Sequence, residues 1–303
     1  MEQTRVKLAS GIELDVVDCG PKDAPALIFL HGFPESHRTW RHQIAHLSGR
    51  FRCIAPDQRG YRGSSKPQDV ASYTPDKLIG DVFQLADALG VDRFTVLGHD
   101  WGGAIAWGVA YWGQANARVT RAVIANAPHP VIFPQLLWTS REQRAASQYM
   151  RAFRDPANDA LVAEGGLLAM LAHAFGGLTP NPKMPPEEAA QLFAEWDNRE
   201  AAIAMLNWYR ASPMEVPPPD AAYALPADFA APPLPPLALP TLVIWALDDT
   251  ALPPENLDGL NAVIPDLTIE RIAECGHFVP WEAPDNVNAA LDTFLARDRK
   301  SVV

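Results

Sequence analysis

The chain has 303 residues, with 25 basic and 36 acidic side chains and a formal net charge of −11. It therefore carries no excess of positive charge to hold a polyanion, which argues against a nucleic-acid partner. Its three scattered cysteines, Cys19, Cys53 and Cys275, have neither disulfide-framework nor metal-ligand spacing. The start, Met1-Glu2-Gln3-Thr4-Arg5, lacks the apolar core of a signal peptide, and no uninterrupted apolar stretch is long enough to span a bilayer. The expectation is a cytoplasmic protein with no membrane partner, no metal and no cofactor.

In chain order, residues 12–19, after a turn at Gly11, read as an antiparallel edge strand. Apolar runs at 26–30, 51–55, 93–97 and 119–125 read as further strands. Helices fit 38–47, 75–89 and 101–112, the second starting at a Thr74 cap with Pro75 in its first turn. Alternation of this kind predicts an α/β fold, a mostly parallel sheet flanked by helices. The order breaks between about 130 and 240, where helical stretches rich in Ala, Leu, Met and aromatics leave few strand candidates. From Pro217-Pro218-Pro219 to Pro235-Pro236 and Pro240 the chain is too proline-rich for a helix or central strand and reads as a stiff connector. Residues 241–246 and 267–272 resume as strands, and 284–299 fit a closing helix. The expected organisation is a core over 1–130, an inserted helical lid over 131–240 and a return to the core over 241–303.

One motif carries the chemistry. The strand at 93–97 runs into Gly98-His99-Asp100-Trp101-Gly102, and Gly102, Gly103, Ala104, Ala106 and Gly108 then open a helix of small residues. Strand, tight turn and helix are the context of a nucleophile elbow. The glycines two positions either side of Asp100 add no Cβ to the crowded turn. An aspartate, with a reference pKa of about 3.9, is ionised at neutral pH and needs no base to become a nucleophile. Its attack on an electrophilic saturated carbon leaves an ester that water cleaves at the carbonyl, whereas a serine would leave an ether. The elbow points to covalent alkyl-enzyme catalysis.

Two residues complete a triad in the order nucleophile, acid, histidine. After the strand at 241–246 comes Leu247-Asp248-Asp249, and after the next strand Glu274-Cys275-Gly276-His277-Phe278. His277 is the candidate general base and Asp249 the residue that orients it, preferred over Asp248 on its spacing from the strand. Both lie on loops leaving strand ends, where parallel sheets assemble their sites.

These motifs, over essentially the whole chain, resemble the α/β-hydrolase-fold epoxide hydrolases. His31-Gly32-Phe33-Pro34 is similar to that family's HGFP motif, and the resemblance implies a cis bond before Pro34. It also implies an oxyanion hole made by the backbone N–H groups of Phe33 and Trp101. Asp57-Gln58-Arg59-Gly60-Tyr61 and Asn126-Ala127-Pro128-His129-Pro130 resemble the family's scaffolding loops, while Ala246 stands where the family usually has glycine. Tyr149 and Tyr209, the latter within Asn207-Trp208-Tyr209-Arg210, match the two tyrosines of the family's lid. Opening an epoxide makes a very basic alkoxide, which two phenols of pKa near 10 can bind and protonate. The resemblance thus implies a small-molecule epoxide and water as partners, with a vicinal diol as product. Phe33, Trp101 and Phe278 are the candidate substrate contacts.

A dehalogenase with the same nucleophile is the alternative, and Trp101 would then serve the departing halide. Haloalkane dehalogenases commonly place a halide-binding asparagine where this chain has Phe33, and fluoroacetate dehalogenases place arginines where it has Trp101 and Ala104. A catalytically silent binding protein is the alternative from another class, and it would be expected to lose a triad residue. His99 and His129 are expected to pack rather than react. Phe133, Trp138, Phe153, Phe175 and Trp196 are expected in the lid core, some of them lining an apolar cleft between lid and core. The particular epoxide is not legible, and a homo-oligomer is left open.

Overall fold

The structure, a computed structural model, describes residues 3–177 and 181–297. Eight strands, β1 (Gln3–Lys7), β2 (Glu13–Cys19), β3 (Ala26–Leu30), β4 (Arg52–Pro56), β5 (Phe94–His99), β6 (Val119–Ala125), β7 (Thr241–Ala246) and β8 (Leu267–Ile272), form one sheet. Its order is β1-β2-β4-β3-β5-β6-β7-β8, with β1–β2 and β2–β4 antiparallel and every other pair parallel. β3, β5 and β7 are buried at every position, which is why they read as continuous apolar runs. Successive residues face opposite sides. Ile28, Leu30, Val96, Ile124 and Val243 therefore enter one core layer, and Leu27, Phe29, Leu97, Val123 and Ile244 the other.

Helices α1 (Arg41–Leu47), α2 (Pro75–Ala88) and α3 (Asp100–Ala115) cover the sheet. α2 buries Leu78, Ile79, Val82, Leu85 and Ala86, a stripe at helical spacing. Thr74 stands at its N-cap position, but the side chain makes no capping bond; Pro75 starts the helix with no N–H left to satisfy. The helix expected over 38–47 divides into a 3-10 turn, His37–Trp40, and α1. Strand β1 lies outside the sequence expectation because four of its five residues are exposed and no apolar alternation marks them. Backbone pairing with β2 defines it.

Six helices separate β6 from β7, with no strand among the described residues between: α4 (Ile132–Thr139), α5 (Arg141–Ala146), α6 (Tyr149–Arg154), α7 (Asp159–Phe175), α8 (Pro186–Trp196) and α9 (Arg199–Ala211). They sit over the carboxyl ends of the strands through specific ties. The Trp196 indole donates to the Pro34 carbonyl at 2.8 Å and the Trp208 indole to the Arg59 carbonyl at 3.0 Å. Arg62 pairs with Glu195 at 2.8 Å, and Arg38 pairs with Glu188. The proline-rich return is held by Arg144, fully buried, whose guanidinium donates to the carbonyls of Leu137, Trp138, Ala221 and Ala222. Its charge also lies 4.0 Å from the centre of the Tyr223 ring, a cation–π contact. Beyond β7 come α10 (Leu260–Val263), α11 (Val279–Glu282) and α12 (Pro284–Leu295). The closing helix thus ends before the expected position 299, which lies outside the described residues. Among the described residues no helix is long and apolar enough to cross a membrane.

Candidate active site

Asp100 sits at the junction of β5 and α3 with φ at 50°, a left-handed conformation that costs a non-glycine residue of the order of 1 kcal/mol or more. The strain falls on the aspartate itself. The flanking glycines serve close approach instead: a Cβ on Gly102 would lie 2.3 Å from the carbonyl oxygens of Leu30 and His31. Gly32 makes the same kind of contact from the other side, since a Cβ there would lie 2.5 Å from that of Asp100. The elbow is therefore pressed against the loop after β3. In that loop the Phe33–Pro34 bond is cis, and the Phe33 N–H donates to Asp100 Oδ1 at 2.7 Å.

The other carboxylate oxygen, Oδ2, faces His277 Nε2 at 3.6 Å. His277 Nδ1 donates to Asp249 Oδ2 at 2.7 Å. Asp249 is buried, yet every lone pair has a donor. Asn126 Nδ2 reaches Oδ2 at 2.6 Å, and the N–H groups of Ala251 and Leu252 reach Oδ1 at 2.8 and 3.0 Å. Burial opposes its charge, but His277 and these donors hold its carboxyl below the usual range. Asp248 takes no part in this contact: its N–H donates to the Cys275 carbonyl, tying the two loops together. For His277, burial works against protonation, while the Asp249 and Asp100 carboxylates outweigh it and raise its pKa well above the ordinary value.

Tyr149 and Tyr209, both from the insertion, lie near enough to Asp100 for its charge to act on their phenols. Their rings meet edge to face at 6.0 Å, and Tyr209 is 5.0 Å from both Phe33 and Trp101. Burial, with the Asp100 charge nearby, pushes both phenols upward, so they are neutral donors. Phe153, fully buried, and Phe175, half exposed, pack on Tyr149 at 5.4 and 5.1 Å. Phe278 stands apart from this cluster. It stacks on Trp281 at 5.3 Å and lies 5.1 Å from the His277 ring.

The contacts of two residues next to the site, Asn126 and Glu35, escaped the sequence reading, while His99 packs as expected. Asn126, with φ at 39°, bonds Asp249 and also accepts the Ala246 N–H at 2.8 Å. Ala246 itself is buried in the second core layer, so the methyl where glycine is usual fills space without displacing the loop. Glu35 is buried and accepts from Thr39 Oγ1 at 2.7 Å and Trp281 Nε1 at 2.8 Å. Burial pushes its carboxyl up to about 7 despite those bonds. His99, kept neutral by burial, donates from Nε2 to the His277 carbonyl at 2.8 Å, with Nδ1 3.9 Å from Glu35. It supports the histidine loop rather than Asp100. The sequence signals for Asn126 were its position at a strand end and its place in a segment resembling a scaffolding loop; neither specified the contact. His129 packs remotely, bonding the Tyr111 hydroxyl at 2.9 Å.

Replacing Asn126 by alanine is expected to leave the Ala246 N–H unpaired and Asp249 with one donor fewer. An unsatisfied buried group costs about 1–3 kcal/mol. Thermal unfolding should therefore fall by several degrees, and an unchanged midpoint would show that this bridge carries no load.

The α/β hydrolase fold family matches residues 25–284. The chain is 31% identical to Epoxide hydrolase 1 of Caenorhabditis elegans, covering 94% of this chain and 68% of that protein. It is 30% identical to Epoxide hydrolase A of Mycobacterium tuberculosis, covering 94% and 95%. A solved structure among novel epoxide hydrolases from metagenomes of hot environments is 66% identical and superposes with a TM-score of 0.96, covering 98% of this chain and 99% of that one.

Proposed function

Because the chain belongs to the α/β-hydrolase-fold epoxide hydrolase family and is an epoxide-hydrolysing enzyme, we propose that it works through an ester on Asp100, with the helical insertion as the lid over the site. The observation that carries this reading is the asymmetry of the Asp100 carboxylate: Oδ1 is held by the Phe33 N–H, and Oδ2 faces His277 Nε2 at 3.6 Å.

Oδ2 attacks one ring carbon of the epoxide and the C–O bond breaks. The departing alkoxide takes a proton from Tyr149 or Tyr209. Esterification removes the Asp100 charge, so the histidine loses one of the two carboxylates that kept it protonated. Its proton returns to the tyrosinate through solvent, leaving a neutral imidazole. His277 then takes a proton from water as that water adds to the ester carbonyl, and Oδ1 becomes an oxyanion already aligned with the Phe33 N–H, joined by that of Trp101. Collapse releases the diol and restores both Asp100 and the imidazolium. One epoxide and one water are consumed per diol, and every proton is accounted for. Phe33, Phe153, Phe175 and Trp101 wall the phenols with apolar rings, which suits an epoxide bearing an apolar substituent.

A single turnover in ¹⁸O-water is expected to place label in Asp100, with the first diol unlabelled, and later turnovers to pass label to product. Label entering the first diol directly, with none in Asp100, would overturn the ester.

A further inference from the structure

We propose that Cys19 and Cys53 form a reversible modification site, a thiol pair that hydrogen peroxide or a small disulfide oxidises to a cross-strand disulfide. The pair lies directly opposite in the β2–β4 ladder. Its place in the hydrogen-bond alternation can be counted. The Asp57 N–H donates to the Asp15 carbonyl, so that pair is bonded. Val16 opposite Pro56 is then unbonded, as proline requires, and two steps of two from Asp15, through Val17–Ala55, make Cys19–Cys53 a bonded pair. Bonded antiparallel pairs have Cα atoms about 5.5 Å apart, at the separation disulfides favour. Both side chains belong to the same core layer, Cys53 fully buried and Cys19 at its half-buried edge. One sulfur can therefore meet an oxidant and the other is shielded beneath it.

The electrostatics fit a sharing of one proton. The Cys53 side chain opposite favours a Cys19 thiolate against the cost of burial, bringing Cys19 down to about 7 while Cys53 moves up; the Cys53 Sγ itself lies 3.8 Å from the Phe51 carbonyl. Asp18 opposes that thiolate, but Arg52 and Lys22 pair with Asp18 at 2.8 and 2.5 Å and offset its charge. Cys275, in contrast, is buried and pushed up to about 11. A low-pKa, reachable thiolate beside a resolving thiol is the arrangement that peroxide selects. The Cys19 thiolate attacks the peroxide O–O bond, giving a sulfenic acid and hydroxide. The Cys53 sulfur then displaces the sulfenic oxygen as water. Two thiols lose two electrons and two protons in all, and the peroxide becomes two waters.

The pair occupies the end of β2 and the start of β4. Since β2 runs against the parallel strands, this is the sheet edge opposite Asp100. The bridge would close a loop over residues 20–52, which contains β3, Phe33 and Glu35. Shortening the unfolded chain in this way should raise the melting temperature by roughly 5 °C or more.

The test treats the native full chain with a few equivalents of hydrogen peroxide. The expected result is an intact mass lower by two hydrogens, a proteolytic fragment joining Cys19 to Cys53, a raised melting temperature and full reversal by dithiothreitol. Cys53→Ser keeps an O–H donor beside Cys19 but cannot close the bridge. In this variant Cys19 should accumulate as a sulfenic acid that dimedone traps, at least about tenfold faster than Cys275. The proposal is overturned if Cys53 remains alkylatable after unfolding the treated protein, whether Cys19 is unreacted, over-oxidised or linked to a second chain.

Discussion

His277→Gln is expected to stop the cycle after the first chemical step and to accumulate the alkyl-enzyme in stoichiometric amount. In the proposed mechanism, formation of the ester uses only Asp100 and the phenols, whereas its hydrolysis needs a base for water. General-base assistance is worth about 10²–10⁴ in rate, so hydrolysis should fall by at least that range while alkylation persists. Intact mass spectrometry after one equivalent of epoxide should read the protein plus the epoxide mass. Asp249 keeps its bonds from Asn126, Ala251 and Leu252 in this variant, so the fold around the site should hold, and the alkylation itself reports it. A variant that turns over normally would remove His277 from the mechanism.

The same residue sets the pH dependence. In the free enzyme burial disfavours the imidazolium, but Asp249 and Asp100 more than compensate and raise the His277 pKa well above its ordinary value. The ester lacks the Asp100 charge, so the pKa must drop on alkylation. Since hydrolysis requires the neutral ring, its single-turnover rate should rise about tenfold per pH unit below that lowered pKa and level off above it. A flat profile would contradict a base at this position. Asp100→Asn should lower the His277 pKa in the free protein, readable by NMR titration.

Loss of both Tyr149 and Tyr209, the proposed proton donors, is the second large expected effect. Either Tyr149→Phe or Tyr209→Phe leaves one phenol to protonate the alkoxide and should retain partial activity. The double variant leaves a strongly basic oxygen without a donor in an apolar surround, and alkylation should fall by at least about 10²–10⁴. The rings of Phe33, Phe153 and Trp101 around Tyr209 remain to bind substrate, so the loss should appear in the chemical step more than in binding. Pre-steady-state alkylation of the wild type, both single variants and the double variant with one epoxide measures this. Near-wild-type alkylation by the double variant would reject proton donation by these residues.

The sequence alone determined the elements whose signal is local. Apolar runs placed β3 and β7 at their observed bounds, because a strand buried on both faces must be apolar throughout, and β6 and β8 kept enough apolar positions to be read although both are only partly buried. The elbow was legible for a similar reason, since a strained turn between strand and helix tolerates few residues. Asp100, Asp249 and His277 could be singled out by type and by their positions after strands. Only the tertiary structure decided the contacts among them. His277 meets Asp249 across 28 positions, Asp249 meets Asn126 across 123, and His99 meets the His277 carbonyl across 178. Such distances in sequence are closed by strand order, which puts the ends of β5, β6, β7 and β8 side by side. The partners of Glu35 and Asn126 were not legible because they are supplied by that assembly. β1 stayed hidden because an exposed edge strand is held by its backbone hydrogen bonds, which any residue but proline can make.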